Sequence, residues 1–421
     1  MALPGSGEER HEPPIDLVPV HGVHTGLGTP ISGGDPAGWL LHHGRAIEPE
    51  TALFDELCWR LIGSGIPLWR ATLHVSTLHP QMIGFGCRWW RDRNLTEAFT
   101  IALGIERSPE FLHNPIRPAI LDGEVVRHRL GETDDGFPLL RHLREAGATD
   151  YLASPLFRAG DRHPTVTWAT DAPHGFTEED IAHLAAVVPT LALVVETRAA
   201  RRVSSNLLET YLGRLAGPRV LAGQVRRGRG ERLRAVVMAS DLRGSTDMAE
   251  RLPGEDVIGL LDAYFECVAE RVLAHGGDVL KFIGDGVLSI FPVEGDEPAA
   301  AGAALAAAAE ALAGLDRLSH ERLASAGCAL RAGFGLHVGD VIYGNVGASN
   351  RLDFTAIGPT VNLAFRLEGL TKHLGRPLLA SAAFAAAAPE RLVFLGSQLL
   401  RGIAEPQGVF GLSLSGPEAP A

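Results

Sequence analysis

Apolar positions along the chain follow two rhythms, and their alternation predicts an α/β protein in two parts. In the first part, "TALFDELCWRLIGSGI" carries Leu53, Leu57, Leu61 and Ile62 at helical spacing. "WRATLHVSTL" and "QMIGFGCRWW" read as strands around a His-Pro turn, and "DYLASPLF" and "PTVTWATD" as a further pair. "FTEEDIAHLAAVVPTLALVVE" begins with Thr177 three residues before Asp180, a capping-box start for a long helix. "SSNLLETYLGRLAG" predicts a separate short amphipathic helix through Leu207, Leu208, Tyr211, Leu212 and Leu215.

The second part repeats the alternation with different punctuation. "LRAVVMAS" is a buried strand ending at Asp241, and Val257, Leu261, Tyr264, Phe265, Val268 and Val272 mark a helix. "VLKFI" and "VLSIF" flank Gly284-Asp285-Gly286, a hairpin signal. An alanine-rich helix follows, to which only packing is assigned. "LRAGFGLHVGDVIYGNVG" and "LDFTAIG" read as strands, and "TVNLAFRLEGLTKHLG" as a helix stopped by Gly375.

These patterns divide the 421 residues into a flexible tail over 1–36, an α/β domain over 37–196, a helical and basic linker over 197–232, and a second α/β domain over 233–415. The linker is rich in arginine from Arg219 to Arg234; a phosphate or lipid contact competes there with a plainly solvated stretch. A net charge of −12 argues against binding nucleic acid through a basic surface. Four scattered cysteines with no CxxC pair fit a reducing cytoplasm rather than a disulfide framework. The start lacks the basic and apolar regions of a secretory signal, and Ile181–Val195 is too short to span a bilayer. The expectation is a soluble, cytoplasmic protein. Only two of the 38 basic residues are lysine, Lys281 and Lys372, so a lysine here hints at a position that wants an ammonium.

Candidate chemistry concentrates in the second part. Asp241 ends a strand and Asp285 tips a hairpin; one crossover helix and a return strand fit between them, so the two carboxylates can converge at one sheet end. Such a pair suits Mg²⁺. Taken alone, an Asp in a Gly-Asp-Gly tip is more often a turn residue. Asn362 and Arg366 lie four apart on a predicted helix, hence on one face, where amide and guanidinium suit a charged oxygen.

"VVMASDLRGSTDMAERL", "GGDVLKFIGDGVLSIF", "GLHVGDVIYGNVG" and "LDFTAIGPTVNLAFRLE" together resemble, in order and spacing, the catalytic domain of class III nucleotidyl cyclases over residues 233–413. The resemblance implies a ferredoxin-like, palm-type fold with a mixed sheet and flanking helices. It implies that Asp241, Asp285 and the main-chain carbonyl of Leu242 hold two Mg²⁺ or Mn²⁺ ions. Lys281 matches the lysine that reads adenine, and Thr355 the second purine-selecting position. Asn362 and Arg366 match the pair that positions the ribose and stabilises the transition state. The family's C-terminal phosphate-binding lysine has no counterpart; Arg401 or Arg351 is the candidate substitute. Phe365 stands where a smaller residue is usual and needs a pocket. Such enzymes are head-to-tail homodimers, with metals from one chain and Lys, Thr, Asn and Arg from the other.

The implied activity is an adenylate cyclase acting on ATP. A guanylate cyclase and a degenerate cyclase-fold nucleotide-binding regulator are the alternatives. Lys281 and Thr355 weigh against the first, and the intact Asp241, Asp285, Asn362 and Arg366 against the second. "GGD" at 276–278 lacks the Glu-Phe that a diguanylate cyclase would add. The first domain resembles a GAF-type sensory module, which implies a small-molecule or protein input. Thirteen of the 17 histidines precede residue 184, but no metal-ligand spacing recurs among them.

Overall fold

The computed structural model describes residues 20–26, 28–131, 136–326 and 329–413. The chain forms two compact units, Met1–Leu207 and Leu208–Ala421. The first unit contains strands β1 (Val20–Thr25), β2 (Arg70–Ser76), β3 (Met82–Trp90), β4 (Leu95–Ala102), β5 (Val126–Arg129), β6 (Asp150–Pro155) and β7 (Thr165–Thr170). Its helices are α1 (Pro36–Trp39), α2 (Glu50–Gly63), α3 (Pro109–Leu112), α4 (Arg117–Leu121), α5 (Pro138–Glu145) and most of α6 (Glu178–Leu212).

The seven strands form one antiparallel sheet in the order β1-β4-β3-β2-β7-β6-β5. Side chains alternate across it. Leu73, Val75, Phe85, Cys87, Trp89 and Trp168 pack with α2 and α6 in the larger core. Trp59 meets Trp89 edge to face at 5.3 Å. The other face carries a smaller core around Tyr151, Leu140 and Ala119, and with it several buried polar groups. Asp150, fully buried, takes an ion pair from Arg127 at 2.8 Å.

Two expectations change here. The stretch expected to be a flexible tail contains β1, which pairs along β4. "VHGVHT" has little apolar period to announce it; backbone hydrogen bonds to an existing edge make the strand. The two helices expected on either side of residue 200 are one 35-residue helix, with Thr177 and Asp180 capping each other at its start. Nothing between Pro189 and Gly213 breaks it. Two helices, Glu178–Leu212 and Glu297–Glu321, are long and apolar enough to cross a membrane, so the length argument made for Ile181–Val195 does not hold. Both also bury residues in the cores, among them Leu184, Val187, Ala304 and Leu305.

The second unit contains α7 (Ala216–Leu221), β8 (Gly230–Leu242), α8 (Ser245–Arg251), α9 (Gly254–Ala274), β9 (Asp278–Ile283), β10 (Gly286–Pro292), α10 (Glu297–Ala326), β11 (Ala332–Ala348), β12 (Arg351–Ile357), α11 (Pro359–Leu374), β13 (Leu378–Ser381), α12 (Ala382–Ala387), β14 (Leu392–Gln398) and β15 (Gln407–Leu412). Its mixed sheet runs β14-β15-β13-β11-β8-β10-β9, with β12 folded back along β11 and the β11–β13 pair parallel. Strand β8 divides the core by parity. Val236 and Met238 face α9 and the alanines of α10, whereas Ala235, Val237 and Ala239 face α7 and α11.

Much of the expected linker belongs to this unit. Ala216, Leu212 and Leu215 join the core beside Leu280 and Tyr343. Buried Asp278 accepts the backbone N–H groups of Arg214 (3.1 Å) and Leu215 (2.8 Å) at the start of α7. The aspartate of "GGD" is therefore an anchor for this helix. Glycines on β11 let α11 lie directly on the strand. A Cβ at Gly335 would stand 2.1 Å from the carbonyl oxygen of Ala364.

Candidate active site

Strand pairing brings the two aspartates together. Asp241, at the end of β8, is opposite Gly286 on β10, the residue after Asp285. The Leu242 N–H donates to the Asp285 carbonyl at 3.2 Å, which ties the hairpin tip to the strand end. The Ser245 hydroxyl donates to the Asp285 carboxylate. Burial raises the Asp241 pKa to about 6, and the adjacent Asp285 charge adds to the rise. Beside Asp285 lies a cavity of about 330 Å³ walled by Leu242, Ser245, Thr246 and Leu260.

No group of three or more His, Cys, Asp or Glu side chains suited to a metal occurs among the described residues. The protein thus offers two carboxylates plus the main chain of Leu242. That donor set fits Mg²⁺ or Mn²⁺, which take oxygen ligands and complete their shell with water and substrate phosphates. The repulsion that pushes Asp241 up is the kind a divalent cation relieves.

Lys281 and Thr355 lie on β9 and β12, strands that meet. Lys281, on β9, forms an ion pair with Asp353 of β12. Asp353 and Thr355 are two apart on β12 and share a face. Thr355 is 5% exposed, and its hydroxyl is buried without a hydrogen-bond partner. Asp353 was not singled out from sequence. Its signal was its spacing of two from Thr355, legible only once β9 and β12 are known to meet.

Asn362 is exposed on α11, and Arg366 is half-exposed one turn later. Neither bonds to the two aspartates among the described residues. The residues of α11 that do approach them are Glu368 and, toward Asp241, Lys372. Arg243 pairs with Glu368 at 3.2 Å and also donates to Thr371. Burial raises the Glu368 pKa to about 7; Arg243 opposes the rise, and Asp241 and Asp285 add to it. A Cβ at Gly333 would stand 1.9 Å from the Arg243 guanidinium, so glycine there makes room for this crossing. Arg243 and Glu368 were missed from sequence, since nothing in their spacing pairs them. Phe365 finds its pocket in the core with Val361 and Ala364.

The two candidate phosphate binders separate. The loop of Arg401 lies against α11: a Cβ on Gly402 would be 3.6 Å from the Arg366 guanidinium. Arg351 is exposed at the tip of the β11–β12 hairpin, paired in register with Ala348.

The second unit thus combines a mixed sheet, an aspartate pair at the end of β8 and the tip of the β9–β10 hairpin, and a lysine of β9 ion-paired to β12. Residues 231–375 match the adenylate and guanylate cyclase catalytic domain. The chain is 35% identical over 175 residues to adenylate cyclase 1 of Rhizobium meliloti, covering 41% of this chain and 26% of that protein. It is 34% identical over 150 residues to an adenylate cyclase of Anabaena cylindrica, covering 35% and 29%. The match therefore spans under a third of either relative. Among solved structures, the adenylyl cyclase CyaB of P. aeruginosa aligns with 46% of this chain and 100% of its own, at 27% identity and a TM-score of 0.41. The guanylyl cyclase Cya2 aligns with 45% and 96%, at 28% identity and a TM-score of 0.40.

Proposed function

We propose that the protein is an adenylate cyclase that converts ATP to 3′,5′-cyclic AMP and pyrophosphate as a head-to-tail homodimer with shared active sites. The observation that carries the substrate choice is the buried, unpartnered hydroxyl of Thr355 on the same strand face as the partner of Lys281. Adenine presents an acceptor at N1 and a donor at its exocyclic amine. The Lys281 ammonium donates to N1, and the Thr355 hydroxyl accepts from the amine. Guanine reverses this pattern, and a buried mismatch costs about 1–3 kcal/mol. Asp353 pairs with the ammonium and aims it.

Asp241, Asp285 and the Leu242 carbonyl would hold two Mg²⁺ or Mn²⁺ ions, whose chemistry is to acidify the ribose 3′-hydroxyl and neutralise the departing pyrophosphate. Asn362 holds the ribose so that its 3′-oxygen faces the α-phosphorus in line. Arg366 offsets the charge that grows on the α-phosphoryl oxygens. Arg401, whose loop adjoins Arg366, is the favoured phosphate binder over Arg351. Among the described residues, neither Asn362 nor Arg366 bonds to the aspartates of its own chain, which is compatible with a site completed by a second copy. The first unit, read as GAF-like, is assigned a regulatory role. The cysteines Cys58, Cys87 and Cys267 are free, which fits a cytoplasmic enzyme.

Purified full-length protein incubated with ATP or GTP and Mn²⁺, with products identified by mass spectrometry, tests the reading. Cyclic AMP from ATP is expected. Cyclic GMP as the main product would favour the guanylate alternative, and no product from either would favour a nucleotide-binding regulator.

A further inference from the structure

A cavity of about 110 Å³ lies inside the first unit. One wall is the sheet face opposite the larger core, and the other is the segment that carries α3 and α4. Ile83, Phe99, Ile101, Phe111, Ile116 and Ile120 make its apolar lining. Interiors are usually close-packed, with few voids larger than a water molecule. Gly84 and Gly86 help keep this one open. A Cβ at Gly86 would stand 2.5 Å from the Phe99 ring, and one at Gly84 3.1 Å from Ile101. With glycine at both positions, the Phe99 ring and the Ile101 side chain come close against the backbone of β3.

Four nitrogen-bearing side chains reach the cavity wall: His74, Asn114, Arg162 and His163, with the Asn114 amide oxygen taken by the Ile116 N–H at 3.1 Å. His74 Nε2 is 3.2 Å from the Thr72 hydroxyl, which in turn engages Thr167. Burial, with Arg70 adding to it, lowers the His74 pKa to about 4, so this ring is neutral at pH 7. The standing cation is Arg162. Its ion partner Asp161 is 4.0 Å away and 92% exposed, a weak and solvated pairing. Glu110, also at the wall, is exposed, and its carboxylate is engaged by its own backbone amide and by Ser108.

The geometry points to a binding site for a small monocarboxylate whose apolar body is one ring or a short branched chain. The body fills the apolar lining, and the carboxylate meets Arg162 with a histidine as second donor. An apolar cavity of roughly 150 Å³ takes a benzene ring. The present volume is a little below that, so the pocket takes at most one ring with its carboxylate at the open side, and it is too small for a nucleotide. The proposal is independent of the cyclase reading, because its readout is binding and not turnover.

Calorimetric titration of the full chain with benzoate tests it, with benzyl alcohol and benzylamine as ring-matched controls. Benzoate should bind with a Kd of about 1 mM or lower, at least about tenfold tighter than benzyl alcohol. Benzylamine should give no binding heat. Arg162→Gln, at a surface turn, should reduce benzoate to the level of the alcohol. Ile105→Phe, which adds volume at the wall, should abolish binding of both. Tryptophan fluorescence melting confirms that each variant folds, and Arg162→Gln decides the matter if Ile105→Phe does not. Absence of benzoate binding, equal binding of benzylamine, or undiminished benzoate affinity in Arg162→Gln would overturn the assignment.

Discussion

The two units use the same materials, a central sheet with helices packed on it, and put their polar chemistry in opposite places. In the first unit polar groups sit on a buried sheet face, where Arg70, Thr72, His74 and Thr167 are held by neighbours or line a cavity. In the second they sit at strand ends, a hairpin tip and an exposed helix face, as with Asp241, Asp285 and Asn362. Groups at strand ends can change partners without disturbing the core. Groups inside a sheet face cannot, because each lost partner leaves a buried polar atom unsatisfied. Variants in the second unit should therefore alter activity with little loss of stability, and variants on the buried face of the first should do the reverse.

The largest expected effect is at the hairpin tip. Asp285→Ala should lower cyclase activity by at least about 1000-fold with the melting temperature nearly unchanged. Its backbone carbonyl still receives the Leu242 N–H. Turnover assays with ATP and Mg²⁺, beside a melting curve, check both halves. Normal turnover would remove the aspartate pair from the reaction.

Base choice comes next. Lys281→Glu combined with Thr355→Cys should shift preference from ATP toward GTP by about 10- to 100-fold while lowering total activity. Competition between the two nucleotides reads the shift, and an unchanged preference would mean that these side chains do not face the purine.

Mixing Asp241→Ala with Arg366→Ala tests the shared site. Each homodimer has two broken sites, but a mixed dimer has one site with both groups intact. With free exchange at equal amounts, half of the dimers are mixed, so recovery should be about a quarter of wild-type activity. No recovery, with exchange shown by mass spectrometry, would place the whole site within one chain.

The smallest effect is a pair of opposed pH dependences. His74 binds its proton only near pH 4 when folded and near 6.5 when unfolded, so the unfolded state holds more protons between these values. The first unit should lose stability as pH falls through that window. Glu368 has the opposite sign. Its pKa rises from 4.5 unfolded to about 7 folded, so its contribution weakens as pH rises through that range. All six tryptophans lie before residue 207, so their fluorescence follows the first unit, while far-UV circular dichroism follows both. His74→Gln should flatten the first trend and Glu368→Gln the second. Persistence of either trend in its variant would assign it to other groups.

Strand and helix positions in the second unit were legible because its apolar runs are long and its turns carry Gly-Asp-Gly and Gly375. Asp241, Asp285, Lys281, Thr355, Asn362 and Arg366 were legible because four motifs recur in one order. Their mutual placement was not legible. The 35-residue helix α6 was divided in the sequence reading because amphipathic period fades across its arginines, yet a helix continues wherever nothing stops it. Strand β1 was missed because pairing with β4, and no pattern of its own, holds it.

What the sequence by itself determined is the local chemistry: which residue types stand at which turns, and the periodicity that turns most segments into strands or helices. Only the tertiary structure decided the long-range pairings. Register between β8 and β10 joins two aspartates 44 positions apart in the chain. The contact of β9 with β12 gives Lys281 its Asp353, and glycines on β11 let Arg243 reach Glu368. Each depends on which elements pack together, and packing is set by the fit of whole surfaces rather than by any local spacing.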